Sequence, residues 1–133
     1  MQHTSQDLVR RYWQAANARD WAAFAELLAE DIVYEVPQTR ERVRGRAAYL
    51  VFNQTWPGNW EAELLRVVGE GKSQGGQAVS EIAFHVRDAH GVRTETGISF
   101  FEFDATARIC RIVDHWPAPY APPPRACDCI ERF

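Results

Sequence analysis

The sequence predicts an α+β domain in which three N-terminal helices pack on a curved, mainly antiparallel sheet. Three observations carry that expectation. Apolar residues recur at helical spacing in the first part of the chain, as in Leu8, Tyr12 and Ala15. From Trp60 onward, long β-rich runs replace them, separated by short turns rich in glycine and aspartate. Helices grouped ahead of strands, in a chain of 133 residues with room for one core, give an α+β layout with the helices on one face.

The elements follow in order. Thr4 caps the first helix, with Asp7 reaching back to the free N–H groups. Ala16 to Asp20 turns the chain, and Asp20 caps a second helix carrying Trp21, Phe24, Leu27 and Leu28 on its apolar side. Ile32 to Val36 reads as a strand stopped by Pro37. A charged loop from Thr39 to Arg44 leads through Gly45 to a third helix, Arg46 to Trp56, closed by Pro57 and Gly58. Four strands are then expected over Trp60–Val68, Gln77–Arg87, Val92–Asp104 and Ile109–Trp116, as an antiparallel meander. The prolines from Pro117 to Pro124 cannot continue a ladder.

Composition excludes several function classes. Fifteen basic against eighteen acidic residues leave a formal charge of −3, so no basic surplus drives binding to nucleic acid. No apolar run approaches the length of a membrane span, and the polar N-terminus lacks the apolar stretch of a signal peptide; a cytoplasmic location is the expectation. Three cysteines make no disulfide framework, and Cys127 and Cys129 read as two thiols in a C-terminal tail. The four histidines are scattered without metal-ligand spacing, so neither a metal nor another cofactor is expected.

The order of elements, with Asn17-Ala18-Arg19-Asp20 and Ala29-Glu30-Asp31, resembles the cone-shaped nuclear transport factor 2-like fold. More narrowly, Arg111-Ile112-Val113-Asp114-His115-Trp116-Pro117 is similar to the last strand of the SnoaL-like polyketide cyclase group. The resemblance implies a SnoaL-like domain over residues 1–124 and a tail over 125–133. It spans isomerases, dehydratases, epoxide hydrolases, cyclases and non-catalytic subunits, and a fold does not choose among them.

Two comparisons within that group bear on single residues. Steroid isomerases of this fold carry a tyrosine on the first helix, an aspartate base on the first strand and a second acid on the fourth. Tyr12 matches the tyrosine, but Val36 and Ser99 stand at the acid positions, and valine cannot abstract a proton. Limonene-type epoxide hydrolases hold water with a first-strand tyrosine and asparagine and a last-strand aspartate. Tyr34 and Asp114 match two of these; Val36 replaces the asparagine, and Ile82 and Phe84 replace the arginine–aspartate pair that protonates the epoxide.

If Tyr34 and Asp114 face inward, the strand period of two turns Ile82, Phe84, Ser99, Phe101 and Trp116 inward as well. With Phe52 and Trp56 from the third helix and Val36 from the first strand, they would line a pocket for a small, largely apolar molecule. Asp114 is the expected proton carrier or water-orienting group, with Tyr34 and Tyr12 as donors to a developing oxyanion. A cofactor-independent isomerase, cyclase or hydrolase fits this pattern, and so does a non-catalytic binding or dimerisation module. Strands apolar on both faces, with Ile98 and Phe100 alternating with Phe101 and Phe103, further predict a homodimer through the outer sheet face.

Overall fold

A computed structural model describes residues 3–133. Helix α1 runs over Ser5–Ala18 and α2 over Trp21–Glu26; strand β1, Leu28–Val36, is followed by β2, Glu41–Arg44, and helix α3, Arg46–Gln54. Strands β3 (Asn59–Gly69), β4 (Gln77–Asp88), β5 (Gly91–Phe103) and β6 (Ile109–His115) complete the sheet. Its order is β2-β1-β6-β5-β4-β3, with β1 and β6 parallel and every other pair antiparallel.

Local chemistry sets the helix starts. Thr4 accepts from the Asp7 N–H at 3.1 Å while its own N–H donates to the Asp7 carboxylate at 3.3 Å, a reciprocal cap. Asp20 accepts from the Ala23 N–H at 3.1 Å. The expected turn at Ala16 is shorter than its sequence suggests: α1 continues to Ala18, and only Arg19 takes the left-handed conformation, at φ 57°. Asn17 is then free to bridge to β3, donating to the Ala62 carbonyl at 2.7 Å and accepting from its N–H at 2.8 Å.

Three expectations are corrected. Leu27 and Leu28 do not extend α2, which ends at Glu26; Leu28 opens β1 because Ile109 on β6 offers it a parallel partner. The charged loop is in fact a hairpin: Glu41–Arg44 pairs with Val33–Val36 through a turn in which Arg40 has φ 60°. Glu-Arg-Val-Arg has little strand propensity of its own, and the open edge of β1 supplies the pairing. Helix α3 stops at Gln54, leaving Trp56 beyond its end.

Helix α1 lies on β3 and β4, α3 on β1 and β2, and α2 bridges the two helices. The core between this layer and the sheet holds Val9, Phe24, Leu28, Ile32, Ile82 and Ile112, all fully buried. Each such side chain contributes about 1.5–3 kcal/mol by leaving water. Trp13 docks α1 on β4 by donating its indole N–H to Ser80 Oγ at 3.1 Å, and Arg19 lies over the Trp60 ring, 3.8 Å from its centroid. Among the described residues no helix covers the opposite face of the sheet. Beyond His115 the chain forms no helix or strand, and Cys127 and Cys129, expected as two thiols, are paired in a disulfide. Their Cα atoms lie 5.3 Å apart, within the span a disulfide bridges. Among the described residues no helix is long and apolar enough to cross a membrane.

Candidate functional site

The alternation of each strand carries Tyr34, Asp114 and Ser99 to the helix-covered face. The β5–β6 register sets Ser99 directly opposite Asp114, and β1 sets Tyr34 beside Ile112 on the adjoining strand. Asp114 is buried, and each carboxylate oxygen has its own hydroxyl donor. Tyr34 donates to Oδ2 at 2.6 Å and Ser99 to Oδ1 at 2.6 Å. Burial raises the Asp114 carboxyl above the ordinary carboxylate range, while the Ser99 and Tyr34 hydroxyls pull it back in part.

A second hydroxyl pair stands alongside. Tyr12 on α1 and Tyr49 on α3 are fully buried and their oxygens lie 2.5 Å apart. One hydroxyl hydrogen makes that bond and the other has no partner among the described residues. Burial, and then the nearby acid and phenol groups, push Tyr12, Tyr34 and Tyr49 well above the usual phenol range, so all three stay neutral donors. The Tyr49 and Tyr34 rings are 4.8 Å apart, which places the two hydroxyl pairs against one another.

Aromatic side chains fill most of the remaining space. The cavity bounded by Tyr12, Tyr34, Tyr49, Asp114 and the rings of Trp56, Trp60, Phe84 and Trp116 is about 40 Å³. That is room for a water or two and not for a metabolite. A larger hollow of about 460 Å³ opens beside it, lined by Val36, Thr39, Glu41, Arg42 and Val43 together with Tyr34, Phe52, Trp56 and Trp116.

Of the residues singled out from sequence, Asp114, Tyr34, Tyr12, Phe52, Trp56, Phe84 and Trp116 border the small cavity. Val36 borders the larger hollow. Ile82 and Phe101 line neither; both lie fully buried in the core beneath. Ser99 serves as a donor to Asp114, a pairing visible only in the strand register. Tyr49 was not singled out from sequence, although its spacing to Phe52 puts both rings on one side of α3, with Trp56 just beyond the helix against Phe52. His85 faces away, between Thr94 at 2.8 Å and Glu63 at 3.0 Å, and His115 packs against Phe100 on the outer face. Among the described residues no three His, Cys, Asp or Glu side chains converge as a metal would need.

Comparison with known proteins agrees with this architecture. The sequence profile of the SnoaL-like domain family matches residues 9–112. The chain is similar to the crystal structure of a candidate ketosteroid isomerase from Kribbella flavida DSM 17836, with 37% identity, 97% of this chain and 89% of that one covered, and a TM-score of 0.85. An NTF-2-like protein of unknown function from Burkholderia xenovorans LB400 shares the fold at 21% identity, over 97% and 94% of the two chains, with a TM-score of 0.73. A candidate polyketide cyclase from Pseudomonas putida KT2440 is 25% identical over 87% of this chain and 93% of that one, with a TM-score of 0.69. No curated protein matches the chain. The fold is therefore nuclear transport factor 2-like.

Proposed function

The chain belongs to the SnoaL-like domain family, and from that premise we propose that it is a cofactor-independent enzyme that moves a proton at Asp114 on a small, largely apolar molecule bearing an oxygen. The observation that carries this reading is the Asp114 carboxylate: buried, held by Tyr34 at 2.6 Å and Ser99 at 2.6 Å, and bordering a cavity. A carboxyl with a raised proton affinity suits general acid–base work nearer neutral pH. The second hydrogen of the Tyr12–Tyr49 pair is a donor for the charge that develops on a substrate oxygen. Because Val36 and Ser99 occupy the positions of acids in related isomerases, Asp114 would carry the proton alone, either from carbon or from a water.

The test uses 2-tetralone, whose α-protons exchange with D₂O, and styrene oxide, whose ring water opens. Wild-type protein is expected to accelerate one of the two by about 100-fold or more over Asp114→Asn. Its kcat/KM should rise with pH through the raised Asp114 titration, because only the ionised carboxylate accepts a proton. Equal rates in both proteins would dismiss the role.

A second reading, a non-catalytic binding or dimerisation module, draws on the small size of the cavity, about 40 Å³. Binding of 2-tetralone without exchange in either protein would favour it. Under both readings we propose a homodimer through the outer sheet face, where Phe100 is 46% exposed beside Ile98 and Val113. A monomer by light scattering at micromolar concentration would overturn that proposal.

A further inference from the structure

Beyond Trp116 the chain leaves the packed domain. Residues 117–133 are exposed throughout and none joins the core. Among the described residues no hydrogen bond ties this stretch to a helix or strand. Pro117, Pro119 and Pro122 to Pro124 keep it out of any ladder.

The Cys127–Cys129 disulfide lies in this stretch, with Asp128 alone between its ends. A disulfide stabilises a fold mainly by closing a loop in the unfolded chain, and the gain shrinks with the loop. Here the sequence separation is 2, and the bond joins no two elements of the domain. It is not a staple. Exposed disulfides that hold nothing together are the ones that thiols open.

The two sulfurs are not equivalent. The Cys129 backbone N–H donates to Cys127 Sγ at 2.9 Å. A donor at that atom stabilises negative charge on it, which makes Cys127 the better leaving group and Cys129 Sγ the atom attacked.

The third cysteine sits in a different environment. Cys110 is half-buried on β6, and its thiol donates to the Glu102 carbonyl at 3.4 Å. Burial, and then Asp104 and Glu102, push that thiol up, so it holds its proton near neutral pH. Only a thiolate is a nucleophile, and Cys110 is therefore a built-in control.

We infer that Cys127-Asp128-Cys129 is a thiol–disulfide exchange site for small thiols and disulfides of the glutathione class, working apart from the Asp114 cavity. No packed surface frames the sulfurs to hold a larger partner. A small thiolate attacks Cys129 Sγ and forms a mixed disulfide there. The Sγ–Sγ bond breaks, its electron pair goes to Cys127 Sγ, and that sulfur takes a proton from water. A second thiolate attacks the small-molecule sulfur of the mixed disulfide and releases Cys129. Two small thiols are thereby oxidised to one disulfide, and the protein disulfide is reduced to two thiols. A small disulfide drives the same steps backward.

The test treats the oxidised full chain with reduced glutathione near neutral pH, followed by acid quenching, alkylation and mass spectrometry. The bond should open, and the early adduct should sit on Cys129 over Cys127 by about tenfold or more. Glutathione disulfide should then restore the bond, while Cys110 gains adduct about tenfold or more slowly than Cys129. Cys129→Ser should keep a lasting adduct on Cys127, because no second thiol is there to displace it. Melting temperature and turnover at Asp114 should be the same for oxidised, reduced and Cys129→Ser protein.

A bond that resists excess glutathione, or a melting temperature that falls by several degrees on reduction, would overturn the exchange site and make the bond a staple. Chains linked to one another on a non-reducing gel, in place of reclosure, would overturn the couple within one chain. Adducts shared evenly between Cys127 and Cys129 would overturn the assignment of the attacked sulfur. Loss of turnover in Asp114→Asn leaves all these readouts unchanged, so the two sites stand or fall separately.

Discussion

Glu35 and Asp114 sit on the adjoining strands β1 and β6 and face opposite sides of the sheet, where the protein treats them in opposite ways. Glu35 points outward and accepts from two guanidinium groups, Arg42 at 2.9 and 2.6 Å and Arg111 at 3.2 and 2.9 Å. Arg111 also reaches Glu102 at 2.9 Å, so a ladder of alternating charge runs across β2, β1, β6 and β5. The hydrogen bonds from Arg42 and Arg111 hold the Glu35 carboxyl below its ordinary range. Asp114 points inward, meets only neutral hydroxyls, and is held above that range by burial. The difference teaches that charge is neutralised where water can share the work, whereas the buried side is given donors without charge. A carboxylate kept that way retains a proton affinity that chemistry can use.

The largest expected effect comes from removing the inner carboxylate. Asp114→Asn should cut turnover about 100-fold or more while the fold stays intact by circular dichroism. The amide can still accept from one hydroxyl and donate to the other, so a collapse of the fold would mean the carboxylate is structural instead.

Next comes Tyr34→Phe, which strips a donor from a buried acceptor and should cost about 1–3 kcal/mol in denaturant melts. It should also raise the Asp114 titration further, read by the carboxyl band in infrared spectra, since one of the hydrogen bonds that lowers it is gone. An unchanged titration would show that Tyr34 contributes packing alone.

A smaller effect is the pH dependence of stability, and its sign separates the two carboxylates. The native Asp114 value lies above the unfolded one, so its contribution is fully present below about pH 4 and is lost as pH rises through the native value. The stability difference between Asp114→Asn and wild type should therefore move in the variant's favour from about pH 4 upward. Glu35 behaves inversely: its native value is depressed, so its contribution is present above the unfolded value and fades as pH falls. Parallel pH curves for wild type and Asp114→Asn would show that the buried group does not titrate differently in the two states.

The smallest effect belongs to Glu35→Gln. The ladder lies at the surface, where screening and side-chain entropy cancel most of its attraction. Melting temperature should barely change, and the difference should vanish in high salt. A large loss that survives high salt would mean the ladder is buried in an assembly, which would sharpen the case for a dimer through this face.

Much of the architecture was legible before the structure because it is written in short-range patterns. The cap at Thr4 and Asp7 needs residues three apart. The inward set needs only the strand period of two; Tyr34, Ile82, Phe84, Ser99, Phe101 and Asp114 are buried, and Val36 and Trp116 are half-buried. Strand β2 was not legible, since Glu41–Arg44 has little strand propensity of its own and pairs because β1 offers an edge. The start of β1 at Leu28 was hidden for a related reason, as its partner Ile109 lies far along the chain.

The same division runs through the site. Residue type and periodicity, acting over a few positions, determined that one carboxylate and several aromatic rings would face the covered side of the sheet. Only the tertiary structure decided their partners. Tyr34 and Asp114 are 80 positions apart in sequence, and Tyr12 and Tyr49 are 37 apart on different helices. It also decided that Trp116 would pack against Gly97 and that Trp56, beyond the end of α3, would stay 37% exposed. Faces follow from backbone geometry that each segment carries within itself. Contacts depend on register and packing between segments, which no segment encodes alone.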